Sequence, residues 1–180
     1  MFSLPSSAGN PREGTSRDLP IRLEQVKLLD FHRLCYFFYD SAYERPPALT
    51  SDTTAIWESI LHLSDMFDME KVKEVALYAL KSSLAITDAH KVALCMRYNV
   101  GMDWAKDAIQ RIISRSESLT DAEIEELITQ PRMVGLISRT REALMRPATS
   151  VSLFGGFRYQ EPSQERVQEA MQPFLEFRST

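Results

Sequence analysis

Along most of this chain the apolar residues recur at the helical step, and almost nothing recurs at the step of a strand. From about Lys27, the residues Phe31, Leu34, Cys35 and Phe38 follow the i, i+3, i+4, i+7 rule, with Leu28 a turn earlier. That spacing puts them on one helical face. Tyr36, Phe37 and Tyr39 add apolar area to other faces, and a helix apolar on most sides is buried on most sides. Pro46-Pro47 closes this unit, because proline disfavours helix in the residue before it. The one strand-like stretch is Ile21-Arg22-Leu23, two apolar residues flanking an outward Arg. A lone strand leaves its backbone groups unpaired, and even a two-stranded hairpin is marginal. The pattern predicts a mainly α fold.

Start and stop signals divide the rest. Ser51 or Asp52 is placed to cap a second helix carrying Ile56, Trp57, Ile60, Leu61 and Leu63 and running on to Met66 and Phe67. Asp68 is the expected cap of a third, with Val72, Val75, Ala76, Ala79 and Leu80 on one face. Thr87 or Asp88 opens a fourth, with Ala89, Val92, Ala93 and Met96. Gly101 interrupts, and a fifth follows through Trp104, Ala108, Ile109, Ile112 and Ile113. Thr120-Asp121-Ala122-Glu123 is a capping box, with Leu119 and Ile124 at the positions of a hydrophobic staple. Glu123, Glu125 and Glu126 lie where the helix dipole favours anions. Pro131 is read as the stop of this sixth helix. A seventh spans about Met133 to Met145, with Val134, Ile137 and Leu144 inward, and Pro147 ends it. Residues 147–162 read as linker, followed by a weak helix over about Ser163–Met171 before Pro173, in a tail expected to be poorly ordered.

Composition and charge exclude more than they assign. The 180 residues suit one domain, or one with a tail. No apolar run approaches the roughly 18 residues of a membrane span. The net charge of −4 argues against a nucleic-acid binder. Four arginines, Arg132, Arg139, Arg141 and Arg146, surround Glu142, and a helix C-terminus explains them more simply than a polyanion site. The N-terminus lacks the basic start and long apolar run of a signal peptide, so the compartment expected is cytoplasm or nucleus. Cys35 and Cys95 are expected to be free, buried thiols. His32, His62 and His90 stand at no metal-ligand spacing and are read as accommodated polar side chains. Gly155-Gly156 neither follows a strand nor opens a strong helix, so it is no phosphate loop. No nucleophile elbow or paired catalytic carboxylates stand out. The expectation is a protein with no enzymatic role and no cofactor or metal. The remaining feature is the aromatic run Tyr36, Phe37, Phe38, Tyr39 and Tyr43. It reads as core or, because tyrosine joins apolar area to a hydroxyl, as a partner surface.

The order of motifs resembles a BTB (POZ) domain of the kind expanded in fungi. Met1-Phe2-Ser3-Leu4-Pro5, an insert, Pro20-Ile21-Arg22-Leu23 and then Phe31-(x2)-Leu34-(x3)-Phe38-Tyr39 resemble its second half. Trp57-(x3)-Leu61-x-Leu63 resembles its next helix and Val75-Ala76-(x3)-Leu80 its last. Val92-Ala93-(x6)-Val100-(x3)-Trp104, Leu119-Thr120-(x2)-Glu123 and Arg139-Thr140-Arg141-Glu142 resemble the helical extension that follows in those fungal proteins.

The resemblance implies a partial α+β unit over 1–86 with a disordered insert at 5–20, a helical extension over 87–146 and a flexible tail over 147–180. It also implies an N-terminally truncated member without the opening strands, whose helix faces at Leu28–Tyr39 and Ile56–Phe67 have lost their cover. The role implied is a non-catalytic protein–protein interaction module, self-associating with another BTB chain or acting as an adaptor. Some members recruit cullin scaffolds through an apolar-x-Glu pattern, but Phe31-His32-Arg33 reverses that charge. Partner contacts are expected from Phe31, Leu34, Tyr36, Tyr39, Tyr43 and Trp57. The alternative is a free-standing helical scaffold.

Overall fold

Each apolar period of the sequence becomes a helix. The computed structural model describes residues 14, 17–18, 20–39, 51–145 and 162–177. In them run α1 (Leu28–Tyr39), α2 (Ser51–Met66), α3 (Glu70–Ser82), α4 (Asp88–Arg97), a 3-10 turn (Met102–Ala105), α5 (Lys106–Ser114), α6 (Asp121–Leu127), α7 (Pro131–Met145) and α8 (Gln164–Leu175). The mainly α expectation holds. No strand occurs among the described residues, and Ile21-Arg22-Leu23 is a correction. Ile21 is 66% exposed, and the segment turns back through Val26 N–H to Leu23 O at 3.1 Å instead of pairing with a neighbour.

Several caps sit where the residues asked for them. Thr87 accepts from His90 N–H at 2.9 Å at the start of α4. The capping box closes in both directions: Thr120 Oγ1 accepts from Glu123 N–H at 3.3 Å, and Glu123 Oε2 accepts from Thr120 N–H at 2.8 Å. Asp68 does something else. It stands at φ 54°, and Met69 N–H reaches back to Ser64 O at 2.7 Å, so Asp68 is the left-handed residue that finishes α2. Asn99 (φ 49°) ends α4 in the same way, with Val100 N–H on Cys95 O at 2.8 Å. Short polar side chains tolerate this backbone better than other L residues. Pro131 likewise opens α7 where a stop was expected, since its missing N–H belongs to the unpaired first turn. The side chains of Ser51 and Asp52, the Pro46-Pro47 pair and most of the 5–20 insert lie outside the described residues.

Two apolar cores result. Leu34 and Phe37 of α1, Trp57, Ile60, Leu61 and Leu63 of α2, and Val72, Ala76, Ala79 and Leu80 of α3 form the first, joined by Leu94 of α4 and by Tyr98 just after it. Helices α4 to α8 enclose the second around Val92, Ile109, Ile112, Ile137 and Phe174. The face of α2 expected to lie bare is thus covered by α1 and α3. The tail is a further correction. Val167, Met171 and Phe174 of α8 are buried in the second core. Pro173 sits in the last turn of α8, where one lost hydrogen bond does not stop it. Of the linker expected over 147–162, residues 147–161 lie outside the described residues.

Val100 and Trp104 pack against both cores. The Trp104 indole N–H donates to Leu77 O at 3.1 Å, and Lys73 Nζ reaches both Asp65 (2.6 Å) and Tyr98 O (3.1 Å). The seam between the two groups of helices is therefore tied by polar contacts as well as by apolar area.

Candidate functional site

Helix α1 is inside out. Asp30 and Arg33, which ordinarily face water, turn toward α2. The Ser59 hydroxyl donates to Asp30 Oδ1 at 2.6 Å and accepts from Arg33 at 2.7 Å, and Arg33 also donates to Ala55 O at 3.1 Å. These three groups satisfy one another in a half-buried setting, so the charges tolerate partial desolvation. Two apolar side chains accompany them inward. Leu34 is 3% exposed, and Phe37 is fully buried with its ring edge-on to Trp57, centroids 5.9 Å apart.

The opposite arc of α1 is apolar and faces outward. Leu28 is 85% exposed and Tyr39 89%, and Leu29, Phe31, Tyr36 and Phe38 are also exposed. Cys35 is half-buried between them and His32 is the one polar side chain on the arc. The expected stripe Phe31, Leu34, Cys35 and Phe38 is therefore split. Leu34 goes to the core with Phe37, and the rest face away from it. A surface helix normally presents polar residues on its outer face. Here the outer face carries large apolar side chains instead.

Of the residues expected to meet a partner, Phe31, Tyr36 and Tyr39 share this arc. Leu34 and Trp57 are buried inside the chain and present no surface, which corrects their placement. The Trp57 indole N–H has no hydrogen-bond partner among the described residues. Tyr43 lies outside the described residues. Leu28, Leu29 and Phe38 join the arc, and their neighbour Phe38 also contacts the Phe37 ring edge-on at 5.5 Å.

Other polar clusters serve the fold. Arg141, expected within a basic patch, is instead buried and donates to the backbone carbonyls of Ile112, Ser116 and Glu117, the last at 2.6 Å. It thereby closes the C-terminal end of α5, where carbonyls have no helical partner. Arg146 lies outside the described residues. Arg115 forks onto Glu123 at 2.8 and 2.5 Å, and that contact, ahead of the Thr120 hydrogen bonds, holds the Glu123 carboxyl down at about 2. A cleft of about 450 Å³ opens between the end of α3 and helices α4 and α5. Three of its charged side chains are committed: Asp88 clamps Arg111 at 2.6 and 2.9 Å, and Lys91 Nζ caps Lys81 O at 3.0 Å. Burial lowers the Lys91 pKa and pushes the Cys95 thiol up to about 12, so Cys95 is a poor nucleophile. The cysteines Cys35 and Cys95 are free, with Cys95 alone fully buried. No group of three or more His, Cys, Asp or Glu side chains among the described residues is arranged to hold a metal ion. No helix among them is long and apolar enough to cross a membrane.

No protein-family model, curated protein or solved structure matches this chain.

Proposed function

We propose that the protein is a non-catalytic interaction module that self-associates through the outward arc of α1. The inversion of α1, with charges turned in and aromatics turned out, carries this reading. The partner is a second copy of the chain. An isologous contact brings a surface against itself, and a charged arc would meet its own charge there. This arc carries aliphatic and aromatic side chains with one histidine, so it is self-compatible. Phe31, Tyr36, Phe38 and Tyr39 are the anchors. A few such residues commonly supply most of the energy of an interface, about 2 kcal/mol or more each. The resemblance to BTB (POZ) proteins of fungal type points the same way, because that family implies self-association. Nothing in α1 favours a cullin partner, since His32-Arg33 stands where an acidic residue is wanted.

A second reading, a free-standing helical scaffold, is favoured by the covered face of α2 and by the closure of the second core by α8. Light scattering on a sizing column separates the two. The native chain is expected to elute as a dimer, and a Phe38→Glu, Tyr39→Ser variant as a monomer that still melts cooperatively, at a midpoint lowered by the lost association. A native monomer with a cooperative melt establishes the scaffold instead.

A further inference from the structure

His90, in the first turn of α4, faces a helix on either side. Its Nε2 lies 3.0 Å from Glu58 Oε1 on α2, and its Nδ1 lies 3.5 Å from Glu126 Oε1 on α6. Glu126 is itself aimed by Thr87, whose hydroxyl donates to the other carboxylate oxygen at 2.6 Å. The imidazole thus stands between two carboxylates that belong to different groups of helices. Glu58 sits on the helix at the centre of the first core, and Glu126 on one that packs on the second.

We propose that Glu58, His90 and Glu126 form a proton-operated latch across the seam between α2 and α6, closed when the imidazole is charged and slack when it is neutral.

The chemistry follows from the donor count of imidazole. A neutral ring has one N–H, and two carboxylates cannot donate to it. With the proton on Nε2, the bond to Glu58 is made and the Nδ1 lone pair faces a carboxylate oxygen of Glu126. Adding a proton turns that repulsion into an attraction between the imidazolium and Glu126, an ion pair at 3.5 Å. Arg97, on the same helix, is the charge that opposes protonation, and partial burial opposes it too. The hydrogen bond to Glu58 outweighs both, followed by the fields of Glu58 and Glu126, so the His90 pKa lies above the ordinary 6.5. A shallow cleft of about 300 Å³ beside the ring, lined by Thr54 and Ala55 of α2 and by Ile86, gives water access for proton exchange. Because the native value is raised, the latch gives its full stabilisation below about pH 6.5 and loses it as pH rises through that native value.

Two measurements test this. In the full chain, NMR titration of the His90 ring should give a midpoint above 6.5, and Glu58→Gln and Glu126→Gln should each lower it. Hydrogen exchange should show α6 amides gaining protection on acidification through this range. The gain should approach tenfold in the opening equilibrium for each unit by which the midpoint exceeds 6.5, and His90→Gln should abolish it. A wild-type midpoint at or below 6.5 overturns the latch without needing any variant. So does a protection profile in α6 whose pH dependence is the same in His90→Gln as in the native chain.

Discussion

At the scale of single residues, stability rests on charges that have left water and found partners. Glu123 is the clearest case. Its carboxyl, held at about 2 by the Arg115 fork and then by Thr120, sits below the ordinary 4.5. A depressed native value means that the contribution is complete above about pH 4.5 and is lost as pH falls toward about 2. Thermal melts across that range should show Glu123→Gln flattening the acid limb, because the variant has no proton to gain there. Arg141 is the second case. It is buried, and its donors close three carbonyls at the end of α5 and the loop after it. Arg141→Ala leaves those acceptors without partners and should cost about 3 kcal/mol in urea unfolding. Arg141→Lys keeps the charge but not the planar fork, so it should recover only part of the loss.

Elements were legible in the sequence where local chemistry decides them. Thr87 and Thr120 announce their helices through a side chain and an amide three residues apart, and both caps form. The apolar set of α5, Ala108, Ile109, Ile112 and Ile113, is buried as its spacing requires. What the sequence hid depends on distant partners. The orientation of α1 is set by Ser59 and Ala55, more than twenty residues away, which draw Asp30 and Arg33 inward. No periodicity in α1 reveals that. The link of His90 to Glu58 and Glu126 is equally invisible, since each partner lies on another helix. Two punctuation marks were ambiguous for a physical reason. Asp suits both a helix start and a left-handed helix end, and Pro131 suits both a stop and a first turn. Asp68 serves the end of α2, so Asp68→Val, which resists positive φ, should destabilise by about 1–2 kcal/mol in denaturant titration, while Asp68→Gly should be tolerated. In α8, Phe174 follows Pro173 and completes the stripe begun by Val167 and Met171. Phe174→Ala should cost about 3–5 kcal/mol by the same measurement, as for any large core side chain. A loose tail would show no such loss.

For the whole molecule, the decisive asymmetry is between a closed second core and a first core whose outermost helix shows its apolar side to water. Helix α1 packs on α2 through one buried stripe and leaves Phe31, Tyr36, Phe38 and Tyr39 exposed. The proposed self-association would cover that apolar side. Sedimentation equilibrium over a concentration series tests this most directly. The account predicts a weight-average mass that climbs from near 20.6 kDa toward twice that value as the chain reaches tens of micromolar, roughly the range of a contact worth about 7 kcal/mol. A single 20.6-kDa species at every concentration up to about 100 μM, that is, a contact weaker than about 5.5 kcal/mol, would contradict it.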